Sequence, residues 1–165
     1  MLANTHADQT VIEEALANLR ASRRLDKNIA LWRRMPAVPA RFAPFPPALD
    51  PAITDVLRAQ GIDQLYSHQA EAIERSLAGE NVVIVTPTAS GKTLCYNIPV
   101  LQRLLRRPDA RALYLFPTKA LSHDQYGGLY DLTRSLQRDI KVFTFDGDTP
   151  AAARRSIRSA GHIVV

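Results

Sequence analysis

The stretch Thr86-Pro87-Thr88-Ala89-Ser90-Gly91-Lys92-Thr93 constrains this chain more than any other. Residues 81–85 before it are rich in β-branched side chains and read as a fully buried parallel strand. Residues 94–105 after it are long and periodic enough for a helix. Strand, loop and helix in that order make a Gly-Lys-Thr tripeptide a phosphate-binding loop of the Walker A kind. Backbone N–H groups of the loop and first helical turn then converge on one spot, where the helix dipole adds partial positive charge. Gly91 lets the main chain come close to a phosphate oxygen. Lys92 reaches the β- and γ-phosphates, and the Thr93 hydroxyl is placed for Mg²⁺. ATP with Mg²⁺ is therefore the expected cofactor, held by Thr86, Pro87, Thr88, Ala89, Ser90, Gly91, Lys92 and Thr93, with Lys92 and Thr93 acting on the reacting phosphates. The usual pattern opens on Gly, and here Thr86 stands in that place. A solvated turn ahead of an ordinary core helix is the alternative, and the flanking elements weigh against it.

At 165 residues the chain can hold one ordinary domain with a real core. A net charge of +5 and a pI near 9.7 lean towards an anionic partner, although an excess of Arg is common on solvated surfaces. Cys95 is the only cysteine, which excludes a disulfide framework and a cysteine-based zinc site in these residues. No run approaches the roughly 18 consecutive apolar residues of a membrane span, and residues 1–24 lack the continuous apolar stretch of a signal peptide. The cytosol is the expected compartment.

Residues 10–24 place Val11, Ile12, Ala15, Leu16 and Leu19 at helical spacing, with Glu13 and Glu14 early and Arg20, Arg23 and Arg24 late, an order that suits the helix dipole. Its apolar face is expected to pack on something, and its basic end to be solvated rather than to touch nucleic acid. Six prolines between Pro36 and Pro51 mark an extended connector. The expected division is a helical extension with its connector over residues 1–49, and the main domain over 50–165. Within the latter, residues 51–60 read as a helix capped by Asp50 and stopped by Gly61, and residues 67–78 as a second helix closed by Gly79. Residues 112–116 read as another buried strand, and residues 141–145 and 162–165 as further strands. Residues 118–136 read as a helix that Gly127-Gly128 could interrupt, and residues 151–158 as a short helix. Strands alternating with helices give an α/β fold with a parallel sheet.

Three further segments narrow the reading. Gln69, in Leu65-Tyr66-Ser67-His68-Gln69-Ala70-Glu71-Ala72-Ile73, carries both a donor and an acceptor and can pair with an adenine edge. Tyr66 beside it is equally a base-stacking ring or a core tyrosine. Pro117-Thr118-Lys119-Ala120-Leu121 stands where a strand turns into a helix, offering helix N–H groups and the Thr and Lys donors to a nucleic-acid phosphate. Phe145-Asp146-Gly147-Asp148-Thr149-Pro150 lies at another strand end. His68, His123 and His162 show no metal-ligand spacing, and Asp146 and Asp148 read as ordinary turn carboxylates.

In order and spacing these segments resemble the first RecA-like motor domain of a superfamily two, DEAD/DEAH-box helicase. The wording T-P-T-A-S-G-K-T-L-C-Y-N-I-P-V-L with L-Y-S-H-Q-A-E-A-I and D-G-D-T-P is similar to the RecQ-related DNA-repair helicases of the mitomycin repair factor A type. The resemblance covers residues from about 50 onward. It implies a truncated RecA-like P-loop domain in which Gln69 reads adenine, and in which Pro117, Thr118, Lys119, Gly147 and Thr149 touch a DNA backbone without reading its sequence. Ala89 stands where Gly is common. The resemblance also implies that the Asp-Glu pair holding Mg²⁺ and the second motor domain, with its arginine finger, belong to segments after Val165. An arginine finger is worth about 10³–10⁵ in rate, so these 165 residues are expected to be inactive alone within an ATP-dependent helicase. An unfinished sheet is expected to expose an edge and apolar faces, giving the isolated chain marginal stability or a tendency to associate. The competing classes are another P-loop enzyme such as a small-molecule kinase, and a module that binds nucleotide without hydrolysing it.

Overall fold

The computed structural model describes residues 5–22, 24, 27–33, 35–36 and 38–165. They fall into two compact units, Met1–Pro39 and Ala40–Val165. The first carries helix α1, Thr5–Ala21, which begins before the periodic stretch at residue 10. Arg20 lies in its last turn with the guanidinium 4.3 Å from the centre of the Trp32 ring. The stripe expected to pack is exposed at Val11, Ile12 and Leu19. Arg23 lies outside the described residues.

The second unit runs β1 (Phe42–Ala43), α2 (Pro51–Ala59), β2 (Leu65–Tyr66), α3 (Ser67–Leu77), α4 (Lys92–Arg106), β3 (Ala112–Leu113), α5 (Lys119–Ser135), β4 (Val142–Phe143), α6 (Ala151–Ala160) and β5 (Ile163–Val164). Local chemistry sets the helix ends. Asp50 caps α2, its carboxylate accepting from the Ala52 N–H at 2.9 Å, and Pro51 fills the first helical position, where no N–H is needed. Gly61 and Gly79, at φ +81° and +86°, supply the left-handed turns after α2 and α3. Thr118 caps α5, which passes through Gly127-Gly128 without a break. The sequence left that interruption open; both glycines keep ordinary helical φ, so they cost the helix only propensity.

β3, β5 and β4 form a parallel sheet in that order, with Ala112 and Val142 both opposite Ile163. β1 and β2 make a separate antiparallel pair. Ile53, Leu57, Leu65, Ile73, Ile98, Leu101, Leu129 and Ile163 are the centre of one core, each at most 1% exposed. It joins α2, α3, α4 and α5 to β2 and β5, and so fixes the N-terminal ends of α4 and α5 on a common frame.

The expectation of fully buried strands is corrected. Val83 and Val85 are 89% and 90% exposed, Leu113 and Leu115 68% and 82%, while the residues alternating with them are half-buried. No strand pairing is assigned to residues 81–86 among the described residues. A continuous apolar run signals burial only when helices cover both faces; here the described elements cover one. The alternation is a strand's period of two showing through a sequence that hides it.

Candidate nucleotide and nucleic-acid site

Gly91 is the N-cap of α4 and sits at φ +72°, ψ +29°, a conformation that favours glycine. Lys92 and Thr93 open the helix, which has no side-chain cap, and the Leu94 N–H donates back to the Gly91 carbonyl at 3.3 Å. The Lys92 ammonium folds back on the loop. It donates to the carbonyls of Thr86 and Pro87, both at 2.8 Å, and to the hydroxyls of Thr86 and Ser90 at 3.1 and 3.3 Å. Thr86 Oγ1 and Ser90 Oγ are 2.5 Å apart, so the residue that replaces the usual glycine closes the loop through its side chain. Pro87, Thr88 and Ala89 project outward. Ala89 adopts φ +60°, a left-handed conformation that costs a non-glycine residue about 1–2 kcal/mol.

The start of α3 holds the other side of the loop. Gln69 is 3% exposed; its Oε1 accepts from the Tyr66 N–H at 2.9 Å and its Nε2 donates to the Gly91 carbonyl at 2.8 Å. Each end of the amide keeps one further lone pair or hydrogen. His68 Nε2 lies 3.0 Å from the Ser90 carbonyl, and because a carbonyl only accepts, that nitrogen carries the proton. The Tyr66 ring stacks with Phe42, at 5.2 Å, and with His68, at 5.8 Å, and stays 39% exposed, so it is not a core tyrosine. A groove of about 240 Å³ runs from His68, Glu71 and Arg75 to residues 82–86.

Thr93 Oγ1 donates to Gln125 Oε1 at 3.0 Å, and the Tyr96 hydroxyl donates to the same oxygen at 2.8 Å. Gln125 lies on α5, about two turns after Thr118. Pro117 is exposed just ahead of that helix, and Thr118 uses its hydroxyl to accept from the Leu121 N–H. Lys119 is drawn to the neighbouring strand end, pairing with Asp146 at 3.2 Å and with Asp148 more closely still. The Lys119 hydrogen bond holds the Asp146 carboxyl below its ordinary range, while the hydrogen bonds that the Lys119 ammonium donates to Asp148 and Asp146 push its own pKa up.

The turn from Asp146 to Thr149 is closed by its own side chains: Thr149 Oγ1 accepts from the Asp146 N–H at 2.9 Å, and Asp146 Oδ1 accepts from the Asp148 N–H at 2.9 Å. Arg154 on α6 then clamps it, donating to the carbonyls of Thr149 (2.7 Å), Asp146 (3.0 Å) and Gly147 (3.2 Å), with its guanidinium 5.1 Å from the centre of the Phe145 ring. The structure thus brings residues 86–93 together with Gln69, and separately joins Lys119 to the turn bearing Gly147 and Thr149. Sequence reasoning gave no site role to His68, Gln125 or Arg154. Gln125 stands within reach of the Pro117-Thr118-Lys119 motif in sequence, but its contact to Thr93 spans 32 residues and leaves no periodic trace. Among the described residues no cluster of His, Cys, Asp and Glu fits a metal ion, and no helix is long and apolar enough to cross a membrane.

A parallel sheet flanked by helices, with a Gly-Lys-Thr loop at a helix N-terminus, is the class of RecA-like P-loop domains. Residues 66–165 match the DEAD/DEAH box helicase family, and the chain belongs to it. It is 45% identical over 153 residues to an uncharacterized ATP-dependent helicase, YprA, of Bacillus subtilis, covering 93% of this chain and 20% of that protein. It is 39% identical over 132 residues to the ATP-dependent helicase hrq1 of Schizosaccharomyces pombe, covering 78% of this chain and 12% of that one. Helicase MrfA, solved bound to DNA and AMPPNP, superposes with a TM-score of 0.82 at 45% identity, covering 92% of this chain and 21% of that chain. The chain therefore spans about a fifth or less of these relatives' length, within a family of ATP-dependent enzymes.

Proposed function

We propose that these residues are the ATP-binding and DNA-binding N-terminal portion of an ATP-driven DNA helicase that works in DNA repair. The observation that carries this reading is the loop of residues 86–93, seated at the N-terminus of α4 and held from α3 by Gln69 and His68. The β- and γ-phosphates would take the place at Lys92 Nζ now filled by the Thr86 and Pro87 carbonyls. The exchange gives the ammonium charged partners for neutral ones. Gly91 leaves the main chain open to a phosphate oxygen. Gln69 would read adenine with its remaining donor and lone pair, which requires the base to reach a side chain now buried.

The hydroxyl chemistry of Thr93 fits Mg²⁺, a hard cation that takes oxygen ligands. When bound, the ion would neutralise charge on the phosphates. Pro117, Thr118, Lys119, Gly147 and Thr149 are proposed to meet the sugar-phosphate backbone, with Lys119 exchanging Asp146 and Asp148 for a phosphate. MrfA bound to DNA and AMPPNP supports both ligands by likeness. Among the described residues none is assigned as a water-positioning carboxylate or a transition-state arginine, so hydrolysis is proposed for the full-length protein.

The test is Lys92→Ala in the full-length protein. Nucleotide affinity and DNA unwinding should both be lost. Retention of both would end the motor interpretation.

A further inference from the structure

Thr93 and Gln125 meet across 32 residues of sequence, and the way their hydrogens are placed has a chemical consequence. A threonine hydroxyl has one hydrogen and two lone pairs. To ligate a cation it must turn a lone pair to the metal and send its hydrogen elsewhere. Gln125 Oε1 takes that hydrogen at 3.0 Å. The amide is locked in the required sense, because its Nε2 donates to Asp124 Oδ2 at 3.2 Å and so turns Oε1 towards the hydroxyls. The Tyr96 hydroxyl, donating at 2.8 Å, fills the second lone pair of the same oxygen. Both Thr93 and Gln125 are half-buried, which limits competition from bulk water.

We infer that Gln125 is the positioning residue that orients the Thr93 hydroxyl towards the divalent cation of a bound nucleotide. The inference rests on the nucleotide-binding reading of the loop above. Mg²⁺ demands near-ideal octahedral geometry, so a ligand free to rotate is a poorer one than a ligand already turned. Outer partners of metal ligands are worth about 10–100-fold in metal affinity. Gln125 also stands on the helix that begins at Lys119, so the hydroxyl is set from the element bearing the proposed DNA contact.

The experiment measures equilibrium binding of a fluorescent, non-hydrolysable ATP analogue to the full-length protein, with Mg²⁺ and with EDTA. Gln125→Met keeps the length of the side chain and removes the acceptor. It should cut the Mg²⁺-dependent gain in affinity by about tenfold while leaving affinity in EDTA within about twofold of the parent. Gln125→Glu restores an acceptor and should keep the gain. Gln125→Ala replaces Gln125→Met if thermal unfolding shows the latter misfolded. A full gain in the acceptor-less variant would overturn the proposal, as would Gln125→Glu losing the gain or a parent affinity indifferent to Mg²⁺. Lys92→Ala separates the two ideas: binding in EDTA that survives it sinks the phosphate-loop reading, whereas its loss beside an unaffected Gln125→Met sinks only the role of Gln125.

Discussion

Replacing Gly91 with alanine tests the loop where its geometry is tightest. A Cβ built on Gly91 would stand 2.5 Å from Gln69 Nε2, at a backbone φ of +72°. Left-handed backbone costs a non-glycine residue about 1–2 kcal/mol. Gln69 cannot step aside freely, being 3% exposed and tied to the Tyr66 N–H and the Gly91 carbonyl. Displacing it leaves a buried amide unsatisfied, at about 1–3 kcal/mol. The sum is roughly 2–5 kcal/mol, or a fall in Tm of roughly 4–20 °C for a chain of this size. Fraying of the first turn of α4 would relieve part of the strain, and would then show as lost nucleotide affinity. Ala89→Gly is the companion measurement, because the same left-handed strain is already present there at φ +60°. Removing about 1–2 kcal/mol of strain and adding about 0.5–1 kcal/mol of unfolded-chain entropy leaves a gain of between about 0 and 1.5 kcal/mol. Thermal unfolding by circular dichroism reads both variants. If Gly91→Ala melted within about 2 °C of the parent and bound nucleotide equally well, the account of Gln69 as the brace of this loop would be wrong.

Arg154→Ala removes three bonds to carbonyls of the turn from Asp146 to Thr149, and should destabilise by about 1–2 kcal/mol and weaken single-stranded DNA binding by the full-length protein. The slope of log affinity against log salt should stay the same; a drop of about 0.7 would put Arg154 itself on a phosphate. The Lys119 hydrogen bond depresses the folded Asp146 carboxyl, so its stabilisation is fully present above the unfolded carboxylate range, declines as pH falls through that range, and is gone below the lower folded value. An NMR titration of Asp146 should therefore lie below ordinary aspartates in the parent and move up in Lys119→Met; a midpoint at or above the ordinary range refutes the pairing. Val83, Val85, Leu113 and Leu115 make the isolated chain prone to associate, which sedimentation velocity should show as concentration-dependent mass, reduced by Leu115→Lys. A strictly monomeric chain with a sharp unfolding transition would contradict this.

Local chemistry is what the sequence by itself determined. Asp50, Pro51, Gly61, Gly79 and Thr118 punctuate helices through contacts to residues a few positions away, and such contacts are written into neighbouring letters. The Gly91-Lys92-Thr93 loop, its helix and the alternation of strands and helices were legible for the same reason. Tertiary structure alone decided where side chains point once distant segments meet. It turned Gln69 onto the Gly91 carbonyl, His68 onto Ser90, Lys119 onto two aspartates and Thr93 onto Gln125. It also exposed Val83 and Leu115, whose sequence promises burial. Hydrophobicity records that a residue can be covered; which surface covers it depends on packing between segments that periodicity cannot see.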